Sequence, residues 1–374
     1  MLTFAKRIVV LGMVIVVAFT VQASDTPVLI EFERRSGALA TGVSGTGSIA
    51  VGDMDGGDAF YWMPTTGVIS IGGYQASGVS RDGRTIVGTA RDSRGLRNAA
   101  IWLRAAEWRL LGPVVPNAQP CADFLGAATA TSDDGTVVVG YANAATSAID
   151  ACANANSHAF RWDESTGMTD LGSTVAGEPS KANGVSGDGK VVVGYQTLTN
   201  GRRQGVRWVN GRQEAIPSAV VSPAGFVGSA HAANRDGSVV VGEDCRTAIG
   251  EEQSAWVWTS REGTQCLLPP RRIVLEGPNA PPVVTRALAT SEDGRIVAGE
   301  QGVGAADTEA IIWIDRTPHY LKDYLQANGI PNAFENWIRT GTITDMSPDG
   351  RVLVGWGAPV GGFRGYMVVL GGKP

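Results

Sequence analysis

Apolar runs of about four to seven residues, rich in Val, Ile and aromatic side chains, are separated along the whole chain by clusters of Gly, Asp and Ser. That spacing predicts short β-strands joined by tight turns. Laid against itself, the chain resolves into seven copies of one pattern. Each copy opens on an apolar stretch ending in a turn: VSGTG at 43, VSRDG at 79, TSDDG at 131, VSGDG at 185, ANRDG at 233, TSEDG at 290 and MSPDG at 346. A second run follows (SIAVG, RTIVG, TVVVG, KVVVG, SVVVG, RIVAG, RVLVG), then a gap of variable length. The third run is DAFYW at 58, NAAIW at 98, HAFRW at 158, QGVRW at 204, SAWVW at 254, EAIIW at 309 and RGYMV at 364. Most copies close on a fourth, such as GVISIGG, WRLLGP, GMTDLGS or TQCLLPP.

Four bounded runs per copy predict a four-stranded antiparallel meander, and a repeat of roughly 50 residues is near the length of a propeller blade. The fold expected is therefore all-β: one seven-bladed β-propeller over residues 24–374, with blades at about 40–73, 76–113, 127–173, 182–218, 229–270, 287–322 and 341–370. The seventh copy stops after three runs, at Leu370. An incomplete blade would expose a sheet edge, which is an aggregation hazard. PVLIEF, residues 27–32, is a strand without a partner of its own ahead of the first copy, so it is expected to complete the last blade.

The first residues read differently. Lys6 and Arg7, an apolar run from Ile8 to Val21 and the small residues Val21 and Ala23 ahead of Ser24 form a secretory signal peptide cut after residue 23. The expected location is secreted or periplasmic, with no membrane span after cleavage. Four cysteines in an exported chain invite pairing, and neighbours in sequence are the expected partners: Cys121 with Cys152, Cys245 with Cys266. No short Cys-x-x-Cys spacing suggests a metal site instead. The formal net charge of −5 comes with scattered basic residues, which excludes a nucleic-acid-binding footprint. Glycine at 50 of 374 residues suits a turn-rich β protein. No cofactor or metal is expected.

SHAFRWDESTGMTDLGS, residues 157–173, looks like a catalytic segment until the other copies are set beside it. Its histidine column reads Asp58, Asn98, His158, Gln204, Ser254, Glu309 and Arg364, polar throughout and never repeated, as at a solvated strand start. The next column is always Ala or Gly, as close blade packing requires. Trp62, Trp102, Trp162, Trp208, Trp258 and Trp313, with Val368 in the last copy, share one column and are expected to wedge between sheets. The S-x-D-G stretches are read as hairpin turns rather than calcium loops, which use more carboxylates. As a set, the S-x-D-G turns, the V-V-G runs, the Leu-Gly endings and the triplet His158-Ala159-Phe160 resemble the HAF repeats of predicted extracellular proteins. The resemblance implies an exported repetitive β protein and brings no catalytic residues with it.

In an up-and-down blade, the turn from strand one to two is on one face of the disc and the loop from two to three is on the other. The first is always the short S-x-D-G or a close variant, with Thr46 for Asp in copy one and Asn234 for Ser in copy five; the second is long, as in 89–97, 141–157, 195–203, 243–253, 300–308 and 356–363. The crossovers between blades share that long-loop face, the usual place for a binding surface in repeat proteins. The residue following each second run is Asp53, Thr89, Tyr141, Tyr195, Glu243, Glu300 or Trp356. This column varies, as a site drawing different groups from different blades would. Asp53, Tyr141, Tyr195, Glu243, Glu300 and Trp356 are the candidate ligand-binding residues, suited to a glycan or protein of the cell envelope or surroundings. The expected function is a non-enzymatic binding or scaffold propeller. Two alternatives remain: an extracellular polysaccharide hydrolase or lyase using Glu243 and Glu300 as acid and base, and a purely structural cell-surface protein.

Overall fold

The computed structural model describes residues 26–33, 37–104, 107–147, 152, 156–218, 227–246, 253–270, 283–303 and 308–371. The expected signal peptide, residues 1–23, lies outside the described residues. Strand β1 (Val28–Glu31) precedes the repeats. Blade 1 holds β2 (Leu39–Val43), β3 (Ala50–Met54), β4 (Asp58–Met63) and β5 (Gly67–Gly72); blade 2 holds β6 (Gln75–Val79), β7 (Thr85–Arg91), β8 (Arg97–Leu103) and β9 (Trp108–Leu110). Blade 3 holds β10 (Gly126–Thr131), β11 (Val137–Asn143), β12 (Ser157–Asp163) and β13 (Gly167–Asp170). Blade 4 holds β14 (Ser180–Val185), β15 (Val191–Thr197), β16 (Arg203–Val209) and β17 (Arg212–Ala215). Blade 5 holds β18 (Ala230–Ala233), β19 (Val239–Arg246), β20 (Gln253–Thr259) and β21 (Gly263–Leu267); blade 6 holds β22 (Val283–Thr290), β23 (Ile296–Val303), β24 (Thr308–Ile314) and β25 (Thr317–Tyr320).

Blade 7 takes β26 (Trp337–Met346), β27 (Val352–Pro359) and β28 (Arg364–Val369), and β1 supplies its outer strand. β1 runs antiparallel to β28, with Val28 opposite Val369 and Glu31 opposite Tyr366. The ring is closed as the sequence pattern requires. Phe32 fastens the seam: its N–H donates to Gly365 O at 3.0 Å, and its ring stacks on Trp62 of blade 1 at 5.2 Å.

The core is divided among the blade interfaces. Trp102 of blade 2 packs on Ile49, Val51 and Ala59 of blade 1, Trp208 of blade 4 on Val137 and Val139 of blade 3, and Trp313 of blade 6 on Val241 and Val257 of blade 5. Each tryptophan thus covers the blade before its own, and all six are buried. The Ala/Gly column is the point of closest approach. A Cβ on Gly205 would meet Gly228 O at 2.2 Å, and one on Gly365 would meet Ala38 O at 2.7 Å.

The histidine column departs from expectation. Asn98 and Ser254 are buried, and the others fasten strands: His158 Nδ1 is 2.8 Å from Asp170 Oδ2, Glu309 accepts from Thr340, and Arg364 Nη1 reaches Glu31 Oε2 at 2.5 Å. These side chains are ties between strands, because the neighbouring strand or blade closes over the start of the third strand.

The S-x-D-G turns use their side chains internally. Ser80 Oγ donates to Asp82 Oδ1 and accepts Thr85 N–H, while Asp82 accepts Arg84 N–H. Gly83 sits at φ +73°, a conformation that disfavours any side chain. Asn234 replaces Ser without loss, its Oδ1 accepting Val239 N–H at 3.0 Å. Neighbouring turns also clasp each other around the axis. Gly45 donates to Arg81 O, Arg81 to Asp133 O, Asp133 to Gly187 O, Asp188 to Arg235 O and Glu292 to Pro348 O. Pro348 has no N–H with which to reach blade 1. There the seam is bridged by a side chain, Val43 N–H donating to Asp345 Oδ2 at 2.8 Å.

Every first strand carries a bulge that the sequence pattern does not announce, at Thr41, Ser77, Thr129, Asn183, His231, Leu288 and Thr344. In four blades the extra residue's side chain bonds across to the next blade. Thr41 Oγ1 donates to Ala76 O, Thr129 Oγ1 to Ala182 O, Asn183 Nδ2 to Ala230 O and Thr344 Oγ1 to Ala40 O. Both expected disulfides form, Cys121–Cys152 with Cα atoms 4.7 Å apart and Cys245–Cys266 at 5.6 Å. The one helix among the described residues, α1 (Leu321–Ala327), buries Leu321 and Leu325 between blades 6 and 7, with Gly329 at φ +109° just past its end. Trp337 begins β26 and packs on Phe334 and Tyr366.

Candidate binding site at the long-loop mouth

The axial opening has two mouths. At the turn end, a cavity of about 230 Å³ runs from the bulge level to the S-x-D-G turns, bordered by Thr41, Asn183, His231 and Asp345 above and Arg81 and Asp133 below. Its lower charges satisfy each other, Asp133 lying 3.2 Å from Arg81 and 3.6 Å from Arg235. Burial pushes the Asp345 carboxyl up to about 7, against the opposing pull of the N–H groups of Val43 and Met346. This cavity was not foreseen, because the turns around it read as structural.

The candidate residues are at the other mouth. They belong to the second strands themselves rather than to the loops after them, and each faces a first-strand residue across the sheet. Asp53 pairs with Leu39, Thr89 with Gln75, Tyr141 with Ala127, Tyr195 with Lys181, Glu300 with Arg286 and Trp356 with Thr342. First-strand side chains at this level reach back to the preceding blade. Arg286 of blade 6 reaches Glu243 of blade 5, and Lys181 of blade 4 lies over the Tyr141 ring of blade 3, Nζ 4.2 Å from its centroid. The result is a collar of alternating first- and second-strand groups.

The collar differs around its circumference. On the blade 5 and 6 side, Arg286 Nε is 2.6 Å from Glu243 Oε2 and its Nη1 is 2.6 Å from Glu300 Oε1. His231 Nε2 and Arg203 Nη1 stand 3.6 and 3.7 Å from Glu243 Oε1. Burial disfavours the charge on Glu243, but His231 and Arg286 outweigh it and bring the carboxyl down to about 2. Glycosidic cleavage needs one carboxyl protonated and the other free across the scissile bond. Here two carboxylates converge on one guanidinium, and Glu243 is held ionised.

On the blade 3 and 4 side the cations meet aromatic rings instead. Lys181 covers Tyr141, which also packs against Phe124 at 5.5 Å, and Arg203 covers Tyr195 at 4.5 Å. A cation therefore already occupies a face of each tyrosine. Burial, with the nearby charge of Arg203, draws the Lys181 ammonium down to about 8. On blade 1, burial pushes the Asp53 carboxyl up, opposed by a bond from Gln75, and its Oδ1 has no partner. Trp356 on blade 7 meets Phe363 edge to face at 5.7 Å, and Phe363 is 61 % exposed.

Lys181, Arg203, Arg286 and His231 were missed. Three of them lie on first strands, and the column Leu39, Gln75, Ala127, Lys181, Ser229, Arg286, Thr342 varies as freely as the candidate column does. That variability was the signal available. Replacing Arg286 with Met is expected to lower stability by about 2–4 kcal/mol, because it leaves two enclosed carboxylates side by side without a countercharge. Thermal unfolding at pH 5 and pH 8 checks this. The variant should recover on acidification relative to wild type, whereas an equal loss at both pH values would show that the ion triad is not the cause.

No family model matches the chain, and no curated protein matches it in sequence. Similarity appears at the level of fold. The chain aligns with an oligogalacturonate lyase in complex with manganese at a TM-score of 0.52 and 12 % identity, over 93 % of this chain and 98 % of that one. The β-propeller domain of the Trilobed protease from Pyrococcus furiosus, described with an open velcro topology, aligns at 0.51 and 10 % identity over 91 % and 95 %. TolB from Acinetobacter baumannii aligns at 0.44 and 12 %, the match covering 75 % of this chain but 61 % of that one. At such identities the first two establish the scaffold alone. The protein is a multi-bladed β-propeller, closed here by its own N-terminal strand.

Proposed function

We propose that this chain is an exported, non-enzymatic recognition propeller of the HAF-repeat type that binds a glycan or protein of the cell envelope or its surroundings through the long-loop mouth. The observation that carries the reading is the contrast within each blade. Trp wedges, Ala/Gly contacts and S-x-D-G turns recur with few changes, while the collar residues at one mouth change from blade to blade. Variable chemistry on an invariant frame is the pattern of a binding surface. Two disulfides suit an oxidising compartment, and no described helix is long and apolar enough to cross a membrane.

Capture from a cell-envelope extract tests the reading. Tyr141, Tyr195 and Trp356 changed together to alanine should reduce capture at least tenfold while the folding transition persists. Undiminished capture by the folded triple variant would remove the proposed surface.

A further inference from the structure

Lys181 and Arg286 occupy the same register position in blades 4 and 6, and both reach back to the preceding blade. The group they meet is different. Arg286 finds Glu243, whereas Lys181 finds the ring of Tyr141, and among the described residues no carboxylate pairs with it. Arg203 stands next to it over Tyr195, and the nearest acid to Arg203, Glu243, is already bound by Arg286. Arg203, an exposed side chain, thus only shares Glu243 at 3.7 Å, and Lys181 has no carboxylate of its own among the described residues. For the enclosed Lys181 ammonium, charge without a counter-ion is costly, and the Tyr141 ring face beneath it returns only part of that cost. An anion arriving from solvent would supply the rest.

Resting on the reading that the long-loop mouth is the binding face, we propose that Lys181 and Arg203, framed by Tyr141 and Tyr195, receive the carboxylate of a uronic-acid unit in an acidic polysaccharide. Lys181 keeps its proton at neutral pH despite its burial, so it presents a charge there. The rest of the collar favours a sugar over an acidic peptide. Asp53 Oδ1 is an enclosed acceptor with no partner, suited to a hydroxyl donor, and Trp356 beside Phe363 offers an aromatic edge for a pyranose face.

Calorimetric titration of the full chain with a uronate hexasaccharide and with the same hexasaccharide after carboxyl reduction tests this. The acidic form should bind at least tenfold more tightly than the reduced form. Lys181→Met should remove at least tenfold of that affinity and Lys181→Arg should keep it within about threefold, with both variants melting like wild type. Equal binding of the two sugars, or a folded Lys181→Met variant that binds normally, would overturn the carboxylate site while leaving the mouth a binding surface if the alanine triple variant still loses capture. Lys181-dependent binding of an acidic peptide with no binding of the uronate would overturn the choice of ligand. Loss of neither sugar binding nor envelope capture in the triple variant would sink the mouth itself.

Discussion

Replacing Phe32 with alanine should cost about 3–5 kcal/mol, the range for emptying a large aromatic site in a packed core. Phe32 is 2 % exposed and stands against Phe60 and Trp62 of blade 1 and Val352, Val354 and Met367 of blade 7. It is therefore part of the one interface in which the two ends of the chain meet. The loss should be cooperative, because opening this seam frees β28 and unseats Trp62 together. Removing residues 24–33 altogether should go further and produce aggregation, since β28 would then expose an unpaired edge. Val28, on the same strand but 41 % exposed, supplies the control. Its change to alanine should cost less than about 1 kcal/mol. Urea unfolding of the three variants measures all of this, and a Phe32→Ala variant as stable as Val28→Ala would show that the N-terminal strand does not hold the ring shut.

Asp345 should make the same seam sensitive to pH. Its carboxyl touches the axial cavity, yet the inner strands enclose it and raise it to about 7, from 3.8 when unfolded. Between those values the folded chain holds a proton that the unfolded chain has released, so this group's contribution to stability is full below about pH 4 and is lost as pH rises through 7. Three units would convert to about 4 kcal/mol, and solvent in the cavity screens part of it, leaving about 2 kcal/mol. Asp345→Asn keeps an oxygen for Val43 N–H and removes the charge. Because its Nδ2 replaces the oxygen that accepts Met346 N–H, the variant should melt below wild type at pH 4 and gain on it as pH rises to 8, by differential scanning calorimetry across that interval. Parallel curves would mean that Asp345 is not the titrating group.

The frame was legible in sequence because each of its devices is a short-range rule repeated in every blade. Ser80 and Asp82 with Gly83 announce their turn by chemistry alone, and the Trp62 column announces a wedge by recurrence. The joining of PVLIEF to the last blade followed from counting runs, since a blade with three strands needs a fourth. The site was harder to read. Asp53, Tyr141, Tyr195, Glu243, Glu300 and Trp356 do stand together at the long-loop end of the second strands, but their state depends on neighbours from adjacent blades. Arg286 is 43 residues from Glu243, and no local pattern says that its guanidinium takes both Glu243 and Glu300. Lys181 and Arg203 cover the tyrosine faces for the same reason. The first-strand bulges were invisible because Thr41, Asn183 and His231 differ in kind, and only the backbone register makes them one column. Pro348 shows the converse. Its missing N–H could be read from sequence, but its consequence, a side-chain bridge by Asp345, needed the neighbouring turn in place.

Hydroxyl-radical footprinting of the full chain, with and without the envelope fraction it captures, tests most directly which mouth of the propeller recognises a partner. Protection should fall on Tyr195, Trp356 and Phe363 and leave the turn-side residues Arg81, Arg235 and Pro348 as reactive as in the free protein. Protection confined to the turn-side residues, with the aromatic collar unchanged, would contradict recognition at the long-loop mouth.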